Sequence, residues 1–192
     1  MTTYVLHGGA SSKPHPSNDA FFEAFTQQVD KPEVSMLLAL WSRNRDQWDR
    51  LFERDTAAIK AQATKPVRFD IATDPEDYFK KIASFDIFYV LGGKSELIEP
   101  LFSEMAGFKE SLAGKVYIGN SMGAFMVSER YVLSMEDQDA SEVHQGLGIL
   151  PIQTLCHWEI EEKQEQKLAL LSQDSDLPIL TLNEAEFVTF YQ

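Results

Sequence analysis

The hydrophobic pattern of this chain switches repeatedly between two periods. Tyr4-Val5-Leu6-His7 is a short apolar run stopped by Gly8-Gly9, which predicts a first strand ending in a turn. Ala10 to Ser17 is rich in Pro and Ser and reads as a loop. Asp19 to Val29 carries Phe21, Phe22 and Phe25 on one helical face, with Ser17 or Asn18 as the cap. Val34 to Trp41 is almost continuously apolar, as expected of a strand buried on both faces. Asp46 to Ala63 is a charged helix with Trp48, Leu51, Phe52 and Ile59 as its inner stripe. A strand follows at Val67 to Ile71, then a helix opened by Thr73-Asp74-Pro75-Glu76. Phe85 to Leu91 is the next strand, ended by Gly92-Gly93, and Ser95 is placed to cap a helix running to Met105.

The second half continues the alternation. Lys115 to Gly119 predicts a strand, and the stretch beyond Ser121 toward Arg130 predicts a helix. Residues 134 to 146 are acidic and polar, as in a surface loop, and Gly146 to Cys156 is apolar and extended. Glu159 to Leu171 reads as a helix and Pro178 to Leu182 as a strand. Phe187 to Phe190 is a last strand, joined to the one before it by a hairpin turn at Asn183-Glu184-Ala185-Glu186. Strands alternating with helices predict one α/β domain over residues 1–192: a mostly parallel sheet with helices on both faces. Ligands of such sheets lie at the carboxyl ends of the strands, where Gly8-Gly9, Gly92-Gly93 and the turn around Ser121 fall.

That last turn carries chemistry. Gly119-Asn120-Ser121-Met122-Gly123 has the strand, G-x-S-x-G, helix order of a nucleophile elbow, in which a strained turn exposes the serine. Glycines on either side are required where a Cβ would strike the neighbouring strand or helix. A serine hydroxyl needs a base. The histidines are His7, His15, His144 and His157; His15 lies in a polar loop, whereas His7 and His157 end apolar strands and are placed to project into a cleft. Glu136, Asp137, Asp139 and Glu142 are the acids available to orient an imidazole. The Met122 N–H and the Gly92-Gly93 turn are candidates for an oxyanion hole.

Charge and composition narrow the partners. A net charge of −13 argues against nucleic acid and anionic membranes, which select clustered Lys and Arg. The single cysteine, Cys156, excludes an internal disulfide and fits a reducing, cytoplasmic compartment. The amino-terminal segment has neither the pattern of a signal peptide nor that of a membrane span.

Three blocks in order make the chain resemble the dipeptidase E (aspartyl dipeptidase) family of serine peptidases, related in fold to class I glutamine amidotransferases. They are Phe88-Tyr-Val-Leu-Gly92-Gly93-Lys94-Ser95, Gly119-Asn120-Ser121-Met122-Gly123-Ala124, and Gly146 to His157 with its Leu150-Pro151 step. The resemblance implies a class I glutamine amidotransferase-like fold, Ser121 as nucleophile, His157 as general base, Glu136 as the acid, and Gly93 and Met122 amides as the oxyanion hole. It implies a short peptide substrate, with Gly92 and Lys94 beside it and Lys94 able to meet an amino-terminal aspartate. No cofactor or metal is expected, and the protein would act as a monomer or homodimer. Three departures stand out: Met122 replaces the family's alanine, Lys94 and Ser95 replace its third glycine and asparagine, and the acid is not fixed by spacing. They support an alternative, a catalytically inactive relative that binds a small ligand or a protein. An esterase of the α/β-hydrolase type fits less well, because no histidine follows His157.

Overall fold

In the computed structural model, residues 1–134, 141–161, 163–173 and 175–192 are described. The elements in order are β1 (Thr3–His7), α1 (Pro16–Gln27), β2 (Val34–Ala39), α2 (Trp48–Gln62), β3 (Val67–Ala72), α3 (Pro75–Lys81), β4 (Ile87–Val90), α4 (Ser95–Ile98) and α5 (Phe108–Ser111). They continue with β5 (Val116–Asn120), α6 (Met122–Val127), β6 (Ser128–Tyr131), β7 (His144–Gln145), β8 (Leu150–Cys156), α7 (Gln164–Ser172), β9 (Ile179–Leu182) and β10 (Phe187–Tyr191). Short 3-10 turns precede α2, extend α3 and α4, and follow β8.

The main sheet has six strands in the order β10-β1-β5-β4-β2-β3, parallel except for the antiparallel β10 edge. Its central strands are buried residue by residue, which is why they appear in the sequence as unbroken apolar runs. Successive side chains then face opposite helices. On β4, Tyr89 meets Phe21 and Phe25 of α1, whereas Phe88 meets Tyr78 of α3 and Phe108 of α5. Helices therefore cover both faces, as the alternation of elements predicts. Asp74 caps α3, its side chain accepting from the Asp77 N–H at 2.8 Å. Ser95, by contrast, makes no cap; it is the buried first residue of α4.

Three features depart from the sequence expectations. First, the helix after Ser121 stops at Val127, and Ser128–Tyr131 is a strand. The carbonyls of Met126 and Val127 accept from the N–H groups of Leu147 and Ile149, so the end of the helix is bound by another segment. Ser128 Oγ also donates to Ala124 O and meets Thr154 Oγ1 on β8 at 2.6 Å. Second, a separate four-stranded sheet, β7-β6-β8-β9, forms beside the first. Third, Asn183–Glu186 is not a hairpin. β9 pairs in parallel with β8 in the second sheet, and β10 pairs with β1 in the first. The four residues between them carry the chain from one sheet to the other.

Among the described residues, no helix is long and apolar enough to cross a membrane.

Candidate active site

The end of β1 is the hub of the site. Three consecutive carbonyls, those of His7, Gly8 and Gly9, accept from the N–H groups of Ser121, His157 and Ala185 at 2.8, 3.1 and 3.1 Å. Three turns that are far apart in sequence are thereby fastened to one short strand end. His7 itself is fully buried. Its Nδ1 accepts from the Gly9 N–H at 3.1 Å and its Nε2 lies 2.9 Å from Asn18 Oδ1, so the neutral ring with hydrogen on Nε2 satisfies both contacts. Burial pushes this imidazole down to about 4, against the opposing effect of the hydrogen bond it donates to Asn18.

Ser121 joins β5 to α6 with φ 49° and ψ −104°, a conformation that non-glycine residues rarely adopt. The flanking glycines leave room for it. A Cβ at Gly123 would lie 2.5 Å from Val90 O, and one at Gly119 would strike the Gly123 backbone. Gly92 packs against the serine from the β4 side, where a Cβ would lie 2.9 Å from Ser121 Cβ. The steric need read from G-x-S-x-G is met at both glycines.

The imidazole of His157 faces Ser121, with Nε2 3.2 Å from Oγ. His157 directly follows β8 in a left-handed conformation, φ 57°, and its ring packs against Gly9, where any Cβ would collide with it. Its Nδ1 lies 3.0 Å from Glu184 Oε1. The other carboxylate oxygen, Oε2, accepts from Lys13 at 2.7 Å. Burial alone would raise the Glu184 carboxyl, but hydrogen bonds and charge from Lys13 and His157 outweigh it, and its pKa is lowered. Glu184 sits in the crossing between the sheets, with its N–H held by the Glu159 carboxylate at 2.8 Å and followed by Ala185 at φ 60°.

Glu136 lies outside the described residues. The carboxylate on His157 Nδ1 is Glu184, which sequence reasoning placed in a turn and passed over. No local pattern marks it, and only the pairing of β9 and β10 in different sheets brings it to the histidine.

Gly93 follows β4, and its N–H makes no hydrogen bond among the described residues. A Cβ there would collide with Ser42 and would lie 2.9 Å from Arg43 Nε. Met122 opens α6, so its N–H has no partner within the helix. Its side chain, expected beside the nucleophile, is 1% exposed and belongs to the hydrophobic core. Lys94 lines the cavity, but its side chain is more than half exposed and its Nζ lies 3.4 Å from Glu96. Cys156 is buried, and burial pushes its thiol far up, which keeps it protonated. His15 caps α1, and His144 pairs with Glu99 at 3.0 Å; neither lines the cavity, which measures about 830 Å³ and opens over Ser121 and His157.

A serine on a strained strand-to-helix turn, facing an imidazole across the carboxyl edge of a parallel sheet, is the architecture of a serine hydrolase. The chain belongs to peptidase family S51, the family of dipeptidase E, whose model matches residues 5–192; it is a serine peptidase. No curated protein matches it. Two solved structures share its fold. A peptidase from an acI-B1 Actinobacterium is 15% identical with a TM-score of 0.72, over 99% of this chain and 83% of that one. A candidate peptidase E protein from Listeria monocytogenes EGD-e is 16% identical with a TM-score of 0.63, over 100% of this chain and 99% of that one.

Proposed function

We propose that the protein hydrolyses short peptides through Ser121, His157 and Glu184, and that it favours an amino-terminal aspartate. The observation that carries the reading is the unbroken contact from Ser121 Oγ to His157 Nε2 at 3.2 Å and from His157 Nδ1 to Glu184 Oε1 at 3.0 Å. The first distance is slightly long, as is common before substrate tightens such a site. His157 Nε2 takes the hydroxyl proton as Ser121 Oγ attacks the peptide carbonyl. The carboxylate of Glu184 accepts the Nδ1 hydrogen, fixes the tautomer and stabilises the imidazolium. The N–H groups of Gly93 and Met122 receive the oxyanion. His157 then returns the proton to the leaving amine. A water molecule, deprotonated by the same nitrogen, releases the acyl group and restores the serine.

Family membership supports a peptide substrate, and a cavity of about 830 Å³ suits a ligand of a few residues. Gly92 forms the wall beside the nucleophile. The test is labelling with a serine-directed fluorophosphonate, which presumes no substrate. Native protein should label and Ser121→Ala should not. Equal labelling of the two, or none of the native protein, would overturn the mechanism and favour a ligand-binding relative.

A further inference from the structure

Among the described residues, the charged groups lining the cavity are paired, with one exception. Lys13 holds Glu184, Arg54 Nε lies 2.6 Å from Asp55 Oδ1, Lys94 faces Glu96, and Glu161 holds the buried Lys167. Arg43 lines the same cavity, and its Nε is shielded from solvent with no hydrogen-bond partner among the described residues. Burial, then the neighbouring Arg54, lower its pKa, so its charge is held at a cost that an incoming anion would offset.

Its position says which part of a ligand it meets. Along the sheet edge the order is β1, β5, β4, β2. His157 packs on the β1 end, Ser121 follows β5, Gly93 follows β4, and Arg43 lies in the turn after β2, against Gly93. The leaving amine must stand at His157 to receive its proton. The acyl residue is therefore directed to the other side of Ser121, toward Gly93 and Arg43. A second unsatisfied group lines the cavity, nearer β1: Asn120 donates its Nδ2 to Ser11 Oγ, and its Oδ1 is buried with no hydrogen-bond partner among the described residues. A donor and an acceptor without partners on either side of Ser121 suit a residue carrying both a carboxylate and an ammonium.

We propose that Arg43 determines specificity by binding the side-chain carboxylate of the amino-terminal, acyl-side residue, with Asn120 Oδ1 accepting from its ammonium group. This rests on the serine mechanism only for the direction in which the substrate lies. It replaces Lys94, which is already paired and largely in solvent, as the group that reads an acidic residue. The planar guanidinium offers a carboxylate two parallel N–H donors, which a lysine does not.

The experiment is calorimetric titration of L-aspartate and L-asparagine into native protein, Arg43→Gln and Arg43→Lys, with circular dichroism of each variant as the check on folding. Native protein should bind aspartate about 10- to 100-fold more tightly than asparagine, the range of a charge-assisted hydrogen bond. Arg43→Gln should abolish that margin by weakening aspartate alone, and Arg43→Lys should recover only part of it. Aspartate bound equally by native protein and either variant overturns the proposal, as does native protein that does not discriminate between the two ligands. Fluorophosphonate labelling separates the two claims. Discrimination without labelling removes the serine mechanism and keeps the subsite, and labelling without discrimination does the reverse.

Discussion

Glu184 is held on several sides: by His157 and Lys13 at its two oxygens and by the Glu159 carboxylate at its amide. Such a carboxylate stays ionised and does not swing. Glu184→Gln keeps the shape but offers the imidazole a neutral partner, and kcat should fall about 10³- to 10⁴-fold with KM little changed. Steady-state kinetics on an Asp-X dipeptide would read this. A Glu136→Gln variant that fell as far would return the acid to the 134–146 loop. The contrast explains what the sequence could convey. Ser121 and Gly93 announce themselves through neighbours one or two positions away, because sterics at a tight turn are local. His157 is marked by the apolar strand that ends in it. Glu184 is one of 30 acidic residues, 27 positions from its histidine, in a stretch whose local composition is that of any turn.

Elements follow the same division. β2, β4 and β5 were legible because burial on both faces leaves an apolar run without alternation. The second sheet was not, because its existence depends on which strands pair: β6 joins β8, and β8 joins β9, each across a long intervening segment. The length of α6 is not set locally for a related reason: its last carbonyls bond to residues 147 and 149, a contact no window around Ser121 contains. What the elbow does fix is its glycines. Gly123→Ala would push a methyl group into the Val90 carbonyl, a backbone atom that cannot turn aside. Destabilisation of about 1–3 kcal/mol is expected, read as a lower urea midpoint with an unchanged slope. A midpoint equal to that of native protein would mean that α6 does not sit against β4 as described.

At the scale of the whole molecule, stability and the site share the buried end of β1. His7 binds a proton near 6.5 in the unfolded chain but only near 4 when folded. Its contribution is complete above pH 6.5 and is lost as pH falls toward 4, amounting to about 3 kcal/mol at most. Thermal unfolding of native protein should therefore steepen in pH dependence across that window, and a His7→Asn variant, less stable throughout, should show a flatter curve. Parallel curves would remove His7 as the cause. The same strand end also sets a chronology. The carbonyls of residues 7, 8 and 9 wait for the amides of residues 121, 157 and 185. On the ribosome the three acceptors emerge well before any of their donors, and the Ala185 amide is the last of these. A nascent chain halted before Glu184 would carry its nucleophile and its histidine yet lack both the carboxylate and the outer β10 strand. If Glu184 acts as proposed, such a chain works at no more than the reduced rate expected of Glu184→Gln, so full turnover waits until the turns around the end of β1 have closed on it.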